Sequence, residues 1–118
     1  MALKITSIGD KGIPKDERVG FAVLSPCDLK NYLVFRTHFT ETGFYNRSSN
    51  AFWFTPTEVR AGDKVVLYTK SGGSSIKRNN DGSTTYFFYW GLPAPIFTSA
   101  TDCVVLVDIN GWETTKRE

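Results

Sequence analysis

Two side chains in this sequence could form a nucleophile and its base: the thiol of Cys27 and the imidazole of His38, the only histidine. A thiol becomes nucleophilic when a neighbouring base takes its proton and a third group orients that base. Here His38 stands on the more polar side of the run "NYLVFRTHF", and no nearby residue is placed to orient it. It reads as a surface histidine. A zinc site needs three or four Cys or His ligands, and the chain holds three in all, Cys27, His38 and Cys103, widely dispersed. "DINGWE" lacks the ligand spacing of a calcium loop. "SGGSSIK" has glycines and a lysine but not the spacing of a phosphate cradle. These residues predict no enzyme, no metal and no cofactor.

Binding chemistry is better represented. "TTYFFYWG", residues 84 to 91, sets five aromatic residues in a row. In a strand, Tyr86, Phe88 and Trp90 share one face, and Phe87 and Tyr89 share the other with Thr85. The first set is larger and unbroken, so it belongs to the core. Phe87 and Tyr89 are left as a candidate partner-binding or self-association face. Two arrangements stay open: the following "GLPAPIF" covers them with Leu92, Ile96 or Phe97, or they face solvent. A basic set, Lys70, Lys77 and Arg78, lies in or beside the preceding polar segment. With the aromatic strand it makes an alternative nucleic-acid face, bases stacking on rings and cations holding phosphates. Against it stand Asp81 in the same segment and a net charge of only +2, too small for strong steering.

The elements that must position these residues are short strands. The 118-residue chain suits one domain with one core. Its 41% hydrophobic and 22% charged content can bury that core. No segment repeats apolar residues at helical spacing over a dozen residues. Instead "LKITSI", "RVGFAVL", "NYLVFRTHF", "AFWF", "KVVLYTK", the aromatic run and "CVVLVD" are punctuated by Gly, Pro, Asn and Asp. About eight short, mostly antiparallel strands are predicted, with no helix beyond one turn. The faces assigned to the core carry Val19, Phe21, Val23, Leu33, Phe35, Val65, Leu67, Val104 and Leu106. Asp81-Gly82 and Asn110-Gly111 read as hairpin turns, the second pairing its two flanks. Residues 71 to 83 read as the longest and most mobile loop.

Two cysteines do not make a disulfide framework, and two free thiols are expected. The N-terminus lacks the apolar stretch of a secretory signal, and no apolar run nears ~20 residues. The expectation is a cytoplasmic protein without a membrane partner. The sequon Asn46-Arg47-Ser48 matters only on an export route.

The order of these features resembles lamin tail domains. In "ERVGFAVLSPCDLKNYLVF", Asp28, Leu29 and Tyr32 take the places of the family's D-L-S-x-W/Y-x-L. In "FWFTPTEVRAGDKVVLYTKSGG", Phe54, Pro56, Val59, Gly62, Val65, Leu67 and Gly72 follow its phenylalanine-proline stretch and glycine-spaced strand. "FYWG" falls at its tryptophan-ended strand. In "DCVVLVDINGWE", Asp102, Val104, Leu106, Asp108 and Gly111 fill its last pattern. The likeness covers about residues 17 to 113 and rests on the ordered set, no single pattern being specific. The long basic segment 71 to 83 and the pair Phe44-Tyr45 depart from it. The resemblance implies an immunoglobulin-like β-sandwich, residues 1 to 118 as one domain, with no catalysis of its own. It implies an interaction module that binds another protein or a second copy of itself.

Overall fold

The structure, a computed structural model, describes residues 1–44 and 49–116. Tyr45, the sequon Asn46-Arg47-Ser48 and the last tail residues, Arg117 and Glu118, lie outside the described residues. The chain order is β1 (Leu3–Gly9), β2 (Arg18–Val23), β3 (Cys27–Asp28), a helical turn at Leu29–Asn31, β4 (Tyr32–Thr40), β5 (Gly43–Phe44), β6 (Ser49–Trp53), β7 (Glu58–Val59), β8 (Lys64–Tyr68), β9 (Ser75–Arg78), β10 (Thr84–Tyr89) and β11 (Asp102–Asp108). The fold is an all-β sandwich. One sheet runs β1-β2-β8-β10-β9; the other runs β11-β4, with β5 and β6 both on the far side of β4; β3 and β7 form a small third pair. Without the two-residue strands β3, β5 and β7, eight remain: seven at the predicted strand signals, and β9, which falls in the expected loop.

The core lies between the two sheets. From the first come Leu3, Val19, Phe21, Val23, Val65, Leu67 and Phe88, and from the second Tyr32 and Val34, with Phe54 and Phe97 from the connections. Strands β2 and β8 pair so that Val19 meets Leu67 and Phe21 meets Val65. Strict alternation therefore seats all four on one side. Phe21, Phe52, Phe54 and Phe88 meet edge to face, with centroids 5.2–6.5 Å apart, the arrangement that ring quadrupoles favour.

Three expectations are corrected. In β4 the buried residues are Tyr32 and Val34, whereas Leu33 and Phe35 are only half-buried on the outer face. The inner face also carries Arg36 and His38, which Asp102 satisfies, so it reads as the more polar side and alternation points to the wrong face. Residues 71 to 83 are not one loop. Strand β9 forms within them and pairs antiparallel with β10 from Arg78 opposite Thr84 to Ser75 opposite Phe87. The turn is built by Gly82 at φ 87° and by Asp81, whose carboxylate accepts the Ser83 backbone N–H. Asn110-Gly111 makes no hairpin: the chain leaves β11 at Asp108, and Trp112 meets Trp53 edge-on at 5.0 Å. The described strands pair mostly antiparallel, as expected, and β10 pairs parallel with β8, Tyr89 opposite Tyr68.

Two buried carboxylates brace the loops around this frame. Glu17 is fully buried and accepts the backbone N–H groups of Gly12, Ile96 and Phe97 at 2.8, 2.8 and 3.1 Å. Asp63 accepts those of Arg60 and Thr84, both at 2.9 Å. Buried amides need such partners, and here an acid supplies what the strand ladders cannot.

Candidate functional site

The β9–β10 hairpin carries the residues singled out for binding. Strand alternation and register place Phe87 and Tyr89 on the outer face of the five-stranded sheet. Phe88 on the other face is buried, and Tyr86 and Trp90 pack against the core. This is the division predicted from the aromatic run.

Phe87 and Tyr89 are half-buried, and the segment after β10 does not supply the rings that stack on them. Phe97 from that segment enters the core, and Ile96 packs against it. The stacking partner is Tyr68 of β8. Its ring lies 5.4 Å from Tyr89 at 11° and 6.5 Å from Phe87 at 22°. The Lys70 ammonium sits 4.8 Å from the Tyr68 centroid, within cation–π range. Gly72 closes the other side. The segment linking β8 to β9 has to pass the slot that β10 occupies between them, and a Cβ on Gly72 would fall 2.5 Å from the Tyr89 ring. Only glycine lets backbone approach a ring this closely. Sequence reasoning does not single out Tyr68, and names Gly72 only as a position of the lamin-tail pattern, because their nearness to Tyr89 depends on the parallel pairing.

The three candidate cations divide. Lys77 stands opposite Thr85 and shares the outer face with Phe87; Arg78 stands opposite Thr84 and projects to the other face. There Arg78 lines a polar cleft of about 600 Å³ with Arg60, Glu58, Cys27, Asp28 and Asp63. Asp28 and Asp63 each accept two backbone N–H groups, from Lys30 and Thr57 and from Arg60 and Thr84 respectively. The N–H of Lys30 holds the Asp28 carboxyl below the usual carboxylate range against the cost of its burial, with Thr57 and the Lys30 charge assisting. Lys64, Lys70 and Lys77 thus surround the aromatic row on one face, without Arg78.

Cys27 and His38 do not meet. Cys27 lies in the field of Asp108, which pairs with Tyr32 at one end of β4, whereas His38 pairs with Asp102 toward the other. Six strand residues separate those ends, about 20 Å. Burial pushes the Cys27 thiol up, and the charges of Asp28 and Asp108 push the same way, opposite to the activation of a nucleophile. Both cysteines are free. His38 does have an orienting partner, contrary to the sequence reading: its Nδ1 is 3.0 Å from Asp102 Oδ1. Asp102 also binds Arg36 at 2.8 Å and accepts the N–H groups of Thr98 and Ser99. Burial opposes its ionisation, yet Ser99, Arg36 and Thr98 together bring its carboxyl below the ordinary value. The group is a brace between β4 and the turn before β11.

No family model, curated protein or solved structure matches the chain.

Proposed function

We propose that this domain is a non-catalytic interaction module that binds another protein through the outer face of its five-stranded sheet. The observation that carries the reading is the row Tyr68, Phe87 and Tyr89, half-buried and already stacked. Its rings are held in place before any partner arrives, so little side-chain freedom is lost on binding. Aromatic anchors of this kind dominate protein interfaces. Lys64, Lys70 and Lys77 form a polar rim on the same face and favour a partner with acidic groups around an apolar centre. The resemblance of residues 17 to 113 to lamin tail domains supports a binding role as well. Single-stranded nucleic acid is the second reading, favoured by those same three lysines beside the rings. It has less support, because Tyr68 and Tyr89 already occupy one face of each other.

The double substitution Phe87→Ser with Tyr89→Ser tests the proposal. The variant is expected to keep its far-ultraviolet spectrum and to lose binding of captured partner protein by at least tenfold. Unchanged binding overturns the assignment, and so does a variant that no longer folds, since both rings would then be core. Binding of a single-stranded oligonucleotide that weakens steeply with salt would transfer the face to the second reading.

A further inference from the structure

Among the described residues, the free edges of the two sheets differ in how they are defended. A sheet edge offers unpaired N–H and C=O groups to any passing strand, and proteins blunt it with bulges, charges or short strands. The β1 edge carries a register break between Ile5 and Ser7 and the exposed Lys4. The β9 edge is four residues long and carries Lys77 and Arg78. The β6 edge is interrupted by Asn50 at φ 54° and by a register break opposite β4. The β11 edge has none of these. It runs seven residues from Asp102 to Asp108 in unbroken register with β4. Between its end aspartates stand only Cys103, Val104, Val105, Leu106 and Val107, with no charge, proline or glycine. Beside it opens an apolar groove of about 390 Å³, lined by Met1, Ile5, Phe39 and Phe44 as well as by the strand. Met1, Phe39 and Phe44 are at least half exposed, at 69%, 63% and 50%.

We propose that β11 is a self-association edge, and that its occupant is β11 of a second copy, paired antiparallel about a two-fold axis near Val105. Between the aspartates the edge is uncharged and mostly β-branched, and an identical strand run antiparallel sets apolar residue against apolar residue there, Cys103 against Val107 and Val104 against Leu106. The axis makes the contact isologous and closed. A net charge of +2 per chain gives little repulsion between copies. Asp108 falls near Asp102 of the second copy, whose charge is already engaged by Arg36 and His38. Area sets the strength. A seven-residue edge is about 24 Å long, and with a sheet thickness near 10 Å it covers roughly 240 Å². A stable interface needs about 800 Å² per partner. The strand alone therefore falls short, and Met1, Phe39 and Phe44 must close over the neighbour. The dimer is accordingly reversible and concentration-dependent.

Sedimentation of the full chain over a concentration series tests this. The native protein is expected to pass from monomer to dimer as concentration rises. Val105→Lys, which sets two lysines face to face on the axis, is expected to remain monomeric throughout. Should that variant fail to fold, Phe44→Glu on the exposed rim is expected to weaken the dimer at least tenfold. A native chain that stays monomeric to millimolar concentration overturns the proposal, as does growth into open-ended oligomers. So does a dimer that survives Val105→Lys or Phe44→Glu but is lost with Phe87→Ser and Tyr89→Ser. That last result would place self-association on the aromatic face and leave the proposed partner-binding role to be judged by its own assay.

Discussion

Glu17 shows how much one side chain can hold. Its two oxygens bind three backbone amides from two separate segments, residue 12 and residues 96 and 97, and its own carbonyl accepts the N–H of Thr69 at 3.1 Å. Removing the carboxylate leaves those donors, one buried and two partly buried, without their partner. Each such orphan costs about 1–3 kcal/mol, so Glu17→Ala is expected to destabilise the protein by at least about 3 kcal/mol in urea unfolding. A loss below about 1 kcal/mol would mean that water replaces the carboxylate. None of this is legible along the chain. Glu17 sits in "GIPKDER", where an acid reads as solvated, and Ile96 and Phe97 lie some eighty residues away. The same separation hid Asp102 as the partner of His38. The aromatic run was legible because its division into Phe88 inside and Phe87 with Tyr89 outside depends on period alone.

At the scale of elements, alternation succeeds where the polar face is the outer one and fails in β4, where the inner face carries Arg36 and His38 on a buried aspartate. Strands β2 and β8 have polar residues or glycine among their outward positions, and Val19, Phe21, Val65 and Leu67 were read correctly. In β4 the outward set, Leu33 and Phe35, lies beside Val105, Val107 and Trp53 of its neighbours, so it is the more apolar side although it faces out. Strand β9 was missed for the opposite reason. "SIKR" has one apolar residue, and its strand geometry comes from pairing with β10. That hairpin also explains the link before it. Because the link must pass Tyr89, Gly72→Ala is expected to destabilise the fold by about 1–3 kcal/mol through overpacking and to shift the ring resonances of Tyr89 in an NMR spectrum. An Ala variant as stable as the parent would show that the link can move off the ring.

For the molecule as a whole, the sandwich was predictable from the number and spacing of strand signals, but the order of strands within each sheet was not, since register is a long-range property. Its pH limit follows from the carboxylates that join distant parts. The Asp102 carboxyl is held below its ordinary value in the folded state. Its contribution is therefore complete above the unfolded carboxylate pKa, about 3.9, and disappears as pH falls through the lower folded value. Asp28 acts in the same sense. Asp102→Asn is expected to lose about 1–3 kcal/mol at pH 7 and to flatten the fall in melting temperature between pH 5 and 2. An unchanged acid limb would assign the acid transition to other carboxylates. The insertion of β10 between β8 and β9 sets a sequence of events as well. The β9–β10 hairpin closes over a short loop and can form within microseconds, whereas its parallel seam with β8 requires a longer closure and comes later. While that seam is open, the inner face of β10, with Phe88, has no cover. The slowest step of folding should then be the docking of a finished hairpin onto β8, with Gly72 threading past a tyrosine ring as the last joint to lock.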